Sequence, residues 1–186
     1  MRKRLFALAT VVTAAATPLS AQIPLSVEGR VGAAFPTGDF GEDLETGLGL
    51  EASATFGLAP GFGIYGSYSH TTFNADGGGG GLVDSGFSVG ATASFSRMSP
   101  RVTPYIGAGL LMHDLEVDVD DADDPDVGET DLGFEVGAGL AVDVAPHVRL
   151  TPAGGYRRYG AELPGLRGGE GDVSYLTLGV GLNVGF

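Results

Sequence analysis

The sequence predicts an all-β protein: an eight-stranded antiparallel up-and-down transmembrane β-barrel preceded by a cleavable signal peptide. Three observations carry this expectation. Apolar residues alternate with small or polar ones in eight separate runs, and a period of two gives each strand face its own set of side chains. Each run is about 9 to 13 residues long, as a tilted bilayer-crossing strand must be, whereas soluble strands run nearer about 5 or 6. The connectors also alternate in length. Residues 59–61, 98–101 and 144–147 are short, while 36–45, 74–84, 114–131 and 160–172 are long. A barrel with tight turns at its periplasmic end and loops at its outer end sorts its connections this way.

The first element is an address. Arg2, Lys3 and Arg4 precede an apolar stretch from Leu5 to Ala16, and Pro18-Leu19-Ser20-Ala21 follows. A basic start, a short apolar core and a small-residue processing site define a secretory signal peptide, too short to span as a helix. Residues 1–21 are therefore expected to be removed, leaving 22–186 as the barrel domain.

The apolar faces of the eight runs follow in order. Val27 to Phe35 alternates with Glu28, Arg30 and Gly32, and Leu48 to Leu58 with Glu51, Ser53 and Thr55. Phe62 to Tyr68 alternates with Tyr65, Ser67 and Ser69; Phe87 to Phe95 with Ser88, Thr92, Ser94 and Ser96. Val102 to Met112 faces away from Tyr105, Gly107 and Gly109, and Leu132 to Val142 from Glu135, Gly137 and Asp143. Val148 to Tyr156 alternates with Arg149, Thr151 and Arg157, although Pro152 and Gly154 are poor strand formers. The last run alternates from Tyr175 to Phe186. Only a closed barrel lets such strands cross hydrocarbon with no unpaired edge, and eight strands leave an interior that side chains fill.

Composition excludes several function classes. Without the three basic residues of the leader, seven Arg and no Lys oppose 23 acids, so no nucleic-acid partner is expected. Cysteine is absent, which removes disulfides, thiolate nucleophiles and Cys-based metal sites. The run Gly77 to Gly81 lacks the Lys and Ser/Thr of a phosphate loop, and no cofactor is expected.

Two groups of side chains are candidates for chemistry. Glu28, Arg30, Glu51, Glu135, Asp143, Arg149 and Arg157 share the lumen face, where charges in a low-dielectric interior must pair. Such a network plugs the barrel in one reading and gates a narrow solute pore in the other. The segment 114–131 is densely acidic, and Asp118, Asp120, Asp121, Asp123, Asp124 and Asp126 offer oxygen ligands suited to Ca²⁺. Its spacing departs from an EF-hand loop, since Ala122 fills an acidic slot and the required Gly is missing; a solvated acidic loop is the plainer reading. Phe35, Phe56, Phe62, Phe73, Phe95, Tyr156, Tyr159 and Phe186 lie near run ends, as interfacial aromatic girdles do.

The signal peptide, the eight runs, Pro104-Tyr-Ile-Gly-Ala-Gly-Leu110 and the ending Tyr175-Leu-Thr-Leu-Gly-Val-Gly-Leu-Asn-Val-Gly-Phe186 together resemble the small outer-membrane β-barrel family of OmpA-type, OmpX-like and opacity-type proteins. The resemblance covers the whole mature chain and implies the bacterial outer membrane as location, outer-membrane lipid as surroundings and a monomer as the state. It also implies Tyr175 and Phe186 as parts of a C-terminal signal read by the barrel-assembly machinery. Some barrels near this family are lipid A deacylases with a His and a Ser at short spacing plus a carboxylate. Here Thr72 stands two after His70, His113 has no adjacent Ser, and His147 sits in a turn, so no enzyme is expected. The expected role is structural or adhesin-like, exerted through acidic and Gly-rich outer loops; a narrow channel is the alternative, and a lipid-modifying enzyme the third.

Overall fold

A computed structural model of the chain describes residues 24–41, 44–75, 80–118, 132–162 and 170–186. Eight antiparallel strands run β1 (Leu25–Pro36), β2 (Gly47–Ala59), β3 (Phe62–Asn74), β4 (Gly81–Ser94), β5 (Val102–Asp118), β6 (Leu132–Ala145), β7 (Val148–Glu162) and β8 (Glu170–Gly185). Each strand pairs with its sequence neighbour, and β8 pairs back onto β1 to close the barrel. A 3₁₀ turn, Gly38–Gly41, follows β1.

The registers fix the barrel's dimensions. One level can be followed from Ser26 through Thr55, Tyr65, Gly90, Gly109, Glu135, Arg157 and Tyr175 back to β1 at Pro36, ten residues above the start. A shear of ten over eight strands corresponds to a tilt of roughly 40° and a backbone radius of roughly 8 Å, taking ~3.3 Å per residue and ~4.8 Å between strands. Side chains from opposite walls therefore meet across the lumen.

The apolar residues of the eight runs face outward. Leu48, Leu50, Phe87, Val89, Ile106, Leu110, Val136, Leu178 and Leu182 are all exposed around the wall, where a soluble protein would hide them and a bilayer solvates them. The alternation then continues past the bilayer with its sense reversed. On the upper strands His70, Thr72, Asn74, Asp114, Glu116, Arg158 and Asp172 point outward, exposed, while Phe73, Leu115, Tyr159 and Val173 point inward, buried. Where water replaces lipid, the polar face belongs outside and the apolar face inside.

This inversion corrects several sequence-based boundaries. Residues 81–84, expected within a loop, begin β4; residues 114–118 extend β5; residues 160–162 extend β7; residues 170–174 begin β8. Phe73 and Tyr159, expected in an aromatic girdle, are 1% and 2% exposed inside the barrel. Phe35, Phe56, Phe62, Phe95 and Phe186 do face outward.

The end bearing Pro24 and Phe186 carries the short connections and is the periplasmic end. Two of its turns share a design, Pro60-Gly61 and Pro146-His147, with positive φ at the second residue: 82° at Gly61 and 63° at His147. Proline sets the first turn position, and the second needs the left-handed region that glycine enters freely.

Candidate functional site in the lumen

Inward positions on neighbouring strands stack into layers along the barrel axis. The middle layer centres on Arg157 of β7, which is 7% exposed. Its Nη2 donates to Glu51 Oε2 at 2.5 Å, its Nε to Glu135 Oε2 at 2.9 Å and its Nη1 to Ser69 Oγ at 3.0 Å. Tyr65 donates to the other Glu135 oxygen at 2.6 Å. One layer toward the periplasm, Arg30 donates to Glu28 Oε1 at 2.5 Å and to Tyr105 OH at 3.1 Å, and its Nη1 lies 3.6 Å from Glu51. Glu28, Arg30, Glu51, Glu135 and Arg157 thus form one continuous network bridged by Glu51. Asp143 and Arg149 pair separately at the periplasmic rim, 2.9 Å apart, and are joined by Arg97 at 3.3 Å.

Glycines make this network possible. Tyr65 lies along the tilted hydrogen-bond direction across Gly90 and Gly109, and a Cβ on either glycine would sit 2.6 or 2.5 Å from its hydroxyl. Only with both strands bare there can the phenol reach Glu135 two strands beyond β4. Gly139 seats Tyr105 in the same way. Much of the strand glycine in the sequence is floor space for large neighbours.

Above the ion pairs lies a cluster the sequence did not disclose. Asp84, expected in a loop, is fully buried on β4. His113 Nδ1 pairs with Asp84 Oδ1 at 2.8 Å, Tyr175 donates to Asp84 Oδ2 at 2.5 Å, and Ser69 Oγ is 3.4 Å from His113 Nε2. These groups come from β3, β4, β5 and β8, so no short motif records them; the visible signal was Asp84 and Gly86 at alternate positions before Ser88. Ser69, His113 and Asp84 have the residue types and the connectivity of a nucleophilic triad, with the Ser–His contact long at 3.4 Å. Ser69 also accepts from Arg157 at 3.0 Å, closer than His113, and the second Asp84 oxygen accepts from Tyr175, so the three side chains are tied into the lumen packing as well.

Phe40, Phe73, Leu111, Leu115, Tyr159, Val173 and Tyr175 pack over this cluster as the buried apolar core. Phe40 comes from the 3₁₀ turn and meets Phe73 edge-on at 5.6 Å; Phe73 meets Tyr175 at 5.5 Å. The turn is tied down by Thr37 N donating to Ser174 O at 2.9 Å and by a Thr37–Ser174 hydroxyl contact at 3.0 Å. Below, a cavity of about 160 Å³ lies among Glu28, Arg30, Glu51, Tyr65, Tyr105 and Glu135. The periplasmic vestibule is wider.

Of the remaining expected residues, Phe186 is exposed on the outer face, whereas Tyr175 is completely buried in the lumen; the two do not share a face. His70 points outward and His147 is exposed in its turn. Asp118 closes β5, while Asp120, Asp121, Asp123, Asp124 and Asp126 lie outside the described residues, as does the leader. Among the described residues no cluster of three or more His, Cys, Asp or Glu has the arrangement of a metal site.

A closed barrel with an apolar outer belt and a polar, ion-paired interior is a transmembrane barrel of the bacterial outer membrane. The model of the outer membrane protein β-barrel domain matches residues 5–186, and the chain belongs to that family. Its structure is similar to Neisserial surface protein A (TM-score 0.70, 21% identity, covering 87% of this chain and 97% of that one). It is also similar to OprG of Pseudomonas aeruginosa (0.60, 12%, 88% and 95%) and to Ail, the attachment invasion locus protein of Yersinia pestis (0.52, 15%, 87% and 99%). No curated protein sequence matches the chain.

Proposed function

We propose that this outer-membrane barrel is a closed anchor whose activity lies in its outer loops, in a structural or adhesin-like role. One observation carries the reading: the outer half of the lumen is filled by the apolar cluster from Phe40 to Tyr175, above an ion-paired middle layer. A barrel stoppered in this way presents only its rim and loops to the outside. Ail, of the same fold, is named for attachment, and one structure holds it with the heparin analogue sucrose octasulfate. Polyanion binding transfers poorly to this chain. The segment joining β5 to β6 contains Asp120, Asp121, Asp123, Asp124, Asp126, Glu129 and Asp131 without a single Lys or Arg, so a neutral or cationic partner suits it better. Calcium held by these acids, and removal of residues 1–21 on export, belong to the same proposal.

The test has two arms. In a planar bilayer the purified protein carries no steady current. On cells, replacing residues 119–131 by a short Gly-Ser linker lowers attachment to cationic surfaces without changing the amount of folded protein. Steady, large channels in the first arm would overturn the anchor in favour of a solute pore. That alternative draws support from the cavity around Arg30 and Glu51, beneath the stopper.

A further inference from the structure

The chain is strongly acidic, with a net charge of −13, yet one end of the barrel reverses that sign. Arg97 and Arg101 lie between β4 and β5, and Arg149 lies at the start of β7. Arg149 Nε and Arg97 Nη2 pair with the carboxylate of Asp143 near the end of β6, at 2.9 and 3.3 Å, and Arg101 meets it through the backbone, its O accepting from the Asp143 N–H at 2.8 Å. Arg97 also donates to Pro100 O at 2.6 Å, which holds the connection in shape. Among the described residues Asp143 is the only acidic side chain in the vestibule lining, which also includes His147. Even counting a carboxylate at Phe186, three guanidiniums face two negative groups. Two of the arginines pair with one aspartate while remaining 56% and 51% exposed, so Asp143 positions the cluster without neutralising it.

The surroundings choose between possible anions. The same connection exposes Phe95 at 54% and Met98 at 73%, and the neighbouring turn exposes Leu58 and Phe62. Basic groups beside unsheltered apolar side chains, at the level where the outer apolar belt ends, fit a membrane interface better than a dissolved partner. We propose that Arg97 and Arg101, on the exposed connection between β4 and β5, form a binding site for the phosphate of an anionic phospholipid in the periplasm-facing leaflet, while Arg149 stays paired with Asp143 on the lumen side. Phe95 and Met98 enter the acyl boundary beside it, and the guanidiniums offer the forked donors that phosphate accepts.

The experiment compares spin-labelled phosphatidylglycerol with spin-labelled phosphatidylcholine around the full barrel in mixed vesicles at low salt. Wild type prefers phosphatidylglycerol roughly fivefold for each engaged arginine, and the preference fades as salt is raised. The double variant R97Q/R101Q, which keeps the Arg149–Asp143 pair, loses most of it, while R97K/R101K retains it in part. A shift between unboiled and boiled gel bands checks that each variant is folded. Equal association of the two lipids with wild type overturns the proposal, as does a preference unchanged in R97Q/R101Q. Arginine-dependent binding of soluble peptidoglycan fragments without lipid selectivity would reassign the site to a carboxylate-bearing polymer. None of these results depends on what the outer loops bind.

Discussion

Substituting Arg157 by Met tests the lumen network most directly. The guanidinium makes three hydrogen bonds, to Glu51, Glu135 and Ser69, and a bond to a charged partner is worth roughly 1.5–3 kcal/mol. Part of that loss is recovered. Burying the guanidinium has its own desolvation cost, Arg30 already stands 3.6 Å from Glu51, and Tyr65 continues to donate to Glu135. The adjacent cavity also admits water to the stranded carboxylates. Breaking a buried pair by removing one partner commonly costs about 3–5 kcal/mol, and these offsets place Arg157→Met near the lower bound, about 3 kcal/mol. Arg149→Met, at the half-exposed rim, should cost under about 1 kcal/mol. The assay is urea unfolding in lipid vesicles followed by far-UV circular dichroism, because the chain contains no tryptophan. Adding Glu51→Gln and Glu135→Gln to Arg157→Met should restore at least half of the loss, since uncharged amides leave no stranded carboxylates. A cost for Arg157→Met equal to that of Arg149→Met would refute the assignment of this layer as the energetic centre of the lumen.

Other consequences follow from single contacts. Gly139→Ala puts a methyl 2.7 Å from the Tyr105 ring and hydroxyl and 2.8 Å from Ala153 Cβ; it should cost about 1–3 kcal/mol, and markedly less in a Tyr105→Ala background, by the same unfolding assay. His147→Gly should raise stability by about 1 kcal/mol, because φ of 63° strains a residue with a side chain; an unchanged midpoint would mean that the turn relaxes. Asp84→Asn weakens the bonds from His113 and Tyr175 and should cost about 2 kcal/mol. If Ser69 were instead an active nucleophile, a fluorophosphonate probe would label it, and no label is expected. Unboiled protein on a detergent gel should migrate as a compact band that slows on boiling.

The membrane-crossing half of the fold was legible because lipid enforces one rule on all eight strands: apolar out, small or polar in. That rule also brought Glu28, Arg30, Glu51, Glu135 and Arg157 to one face. It failed where the solvent changes. Beyond the bilayer Phe73, Leu115, Tyr159 and Val173 turn inward while their neighbours turn polar faces to water, so a reader following apolar positions concludes that the strand has ended or misplaces its aromatics. Asp84 was lost for a second reason: it follows a glycine run and precedes Ser85-Gly86, which reads as loop, whereas Gly86 is bare because the His113 ring lies against it. Tyr175 lies on the face opposite Phe186, as the alternation of the last run predicts, but its burial against Asp84 rests on a strand distant in sequence.

The connection from Arg157 to Glu51 spans more than the lumen. Arg157 belongs to β7 and Glu51 to β2, so their bond passes over the junction where β8 meets β1, the place where the two ends of the chain are sewn together. In a growing sheet Arg157 can already pair with Glu135 on neighbouring β6, and Glu51 with Arg30 on neighbouring β1; the bond between Arg157 and Glu51 forms only when the first and last strands come within reach. An unfinished barrel therefore holds two separate halves of the network, and closure joins them in one step. The bond acts as a clasp: it favours a sheet that has joined over one that has merely curled, and it resists any later parting of the wall along that line.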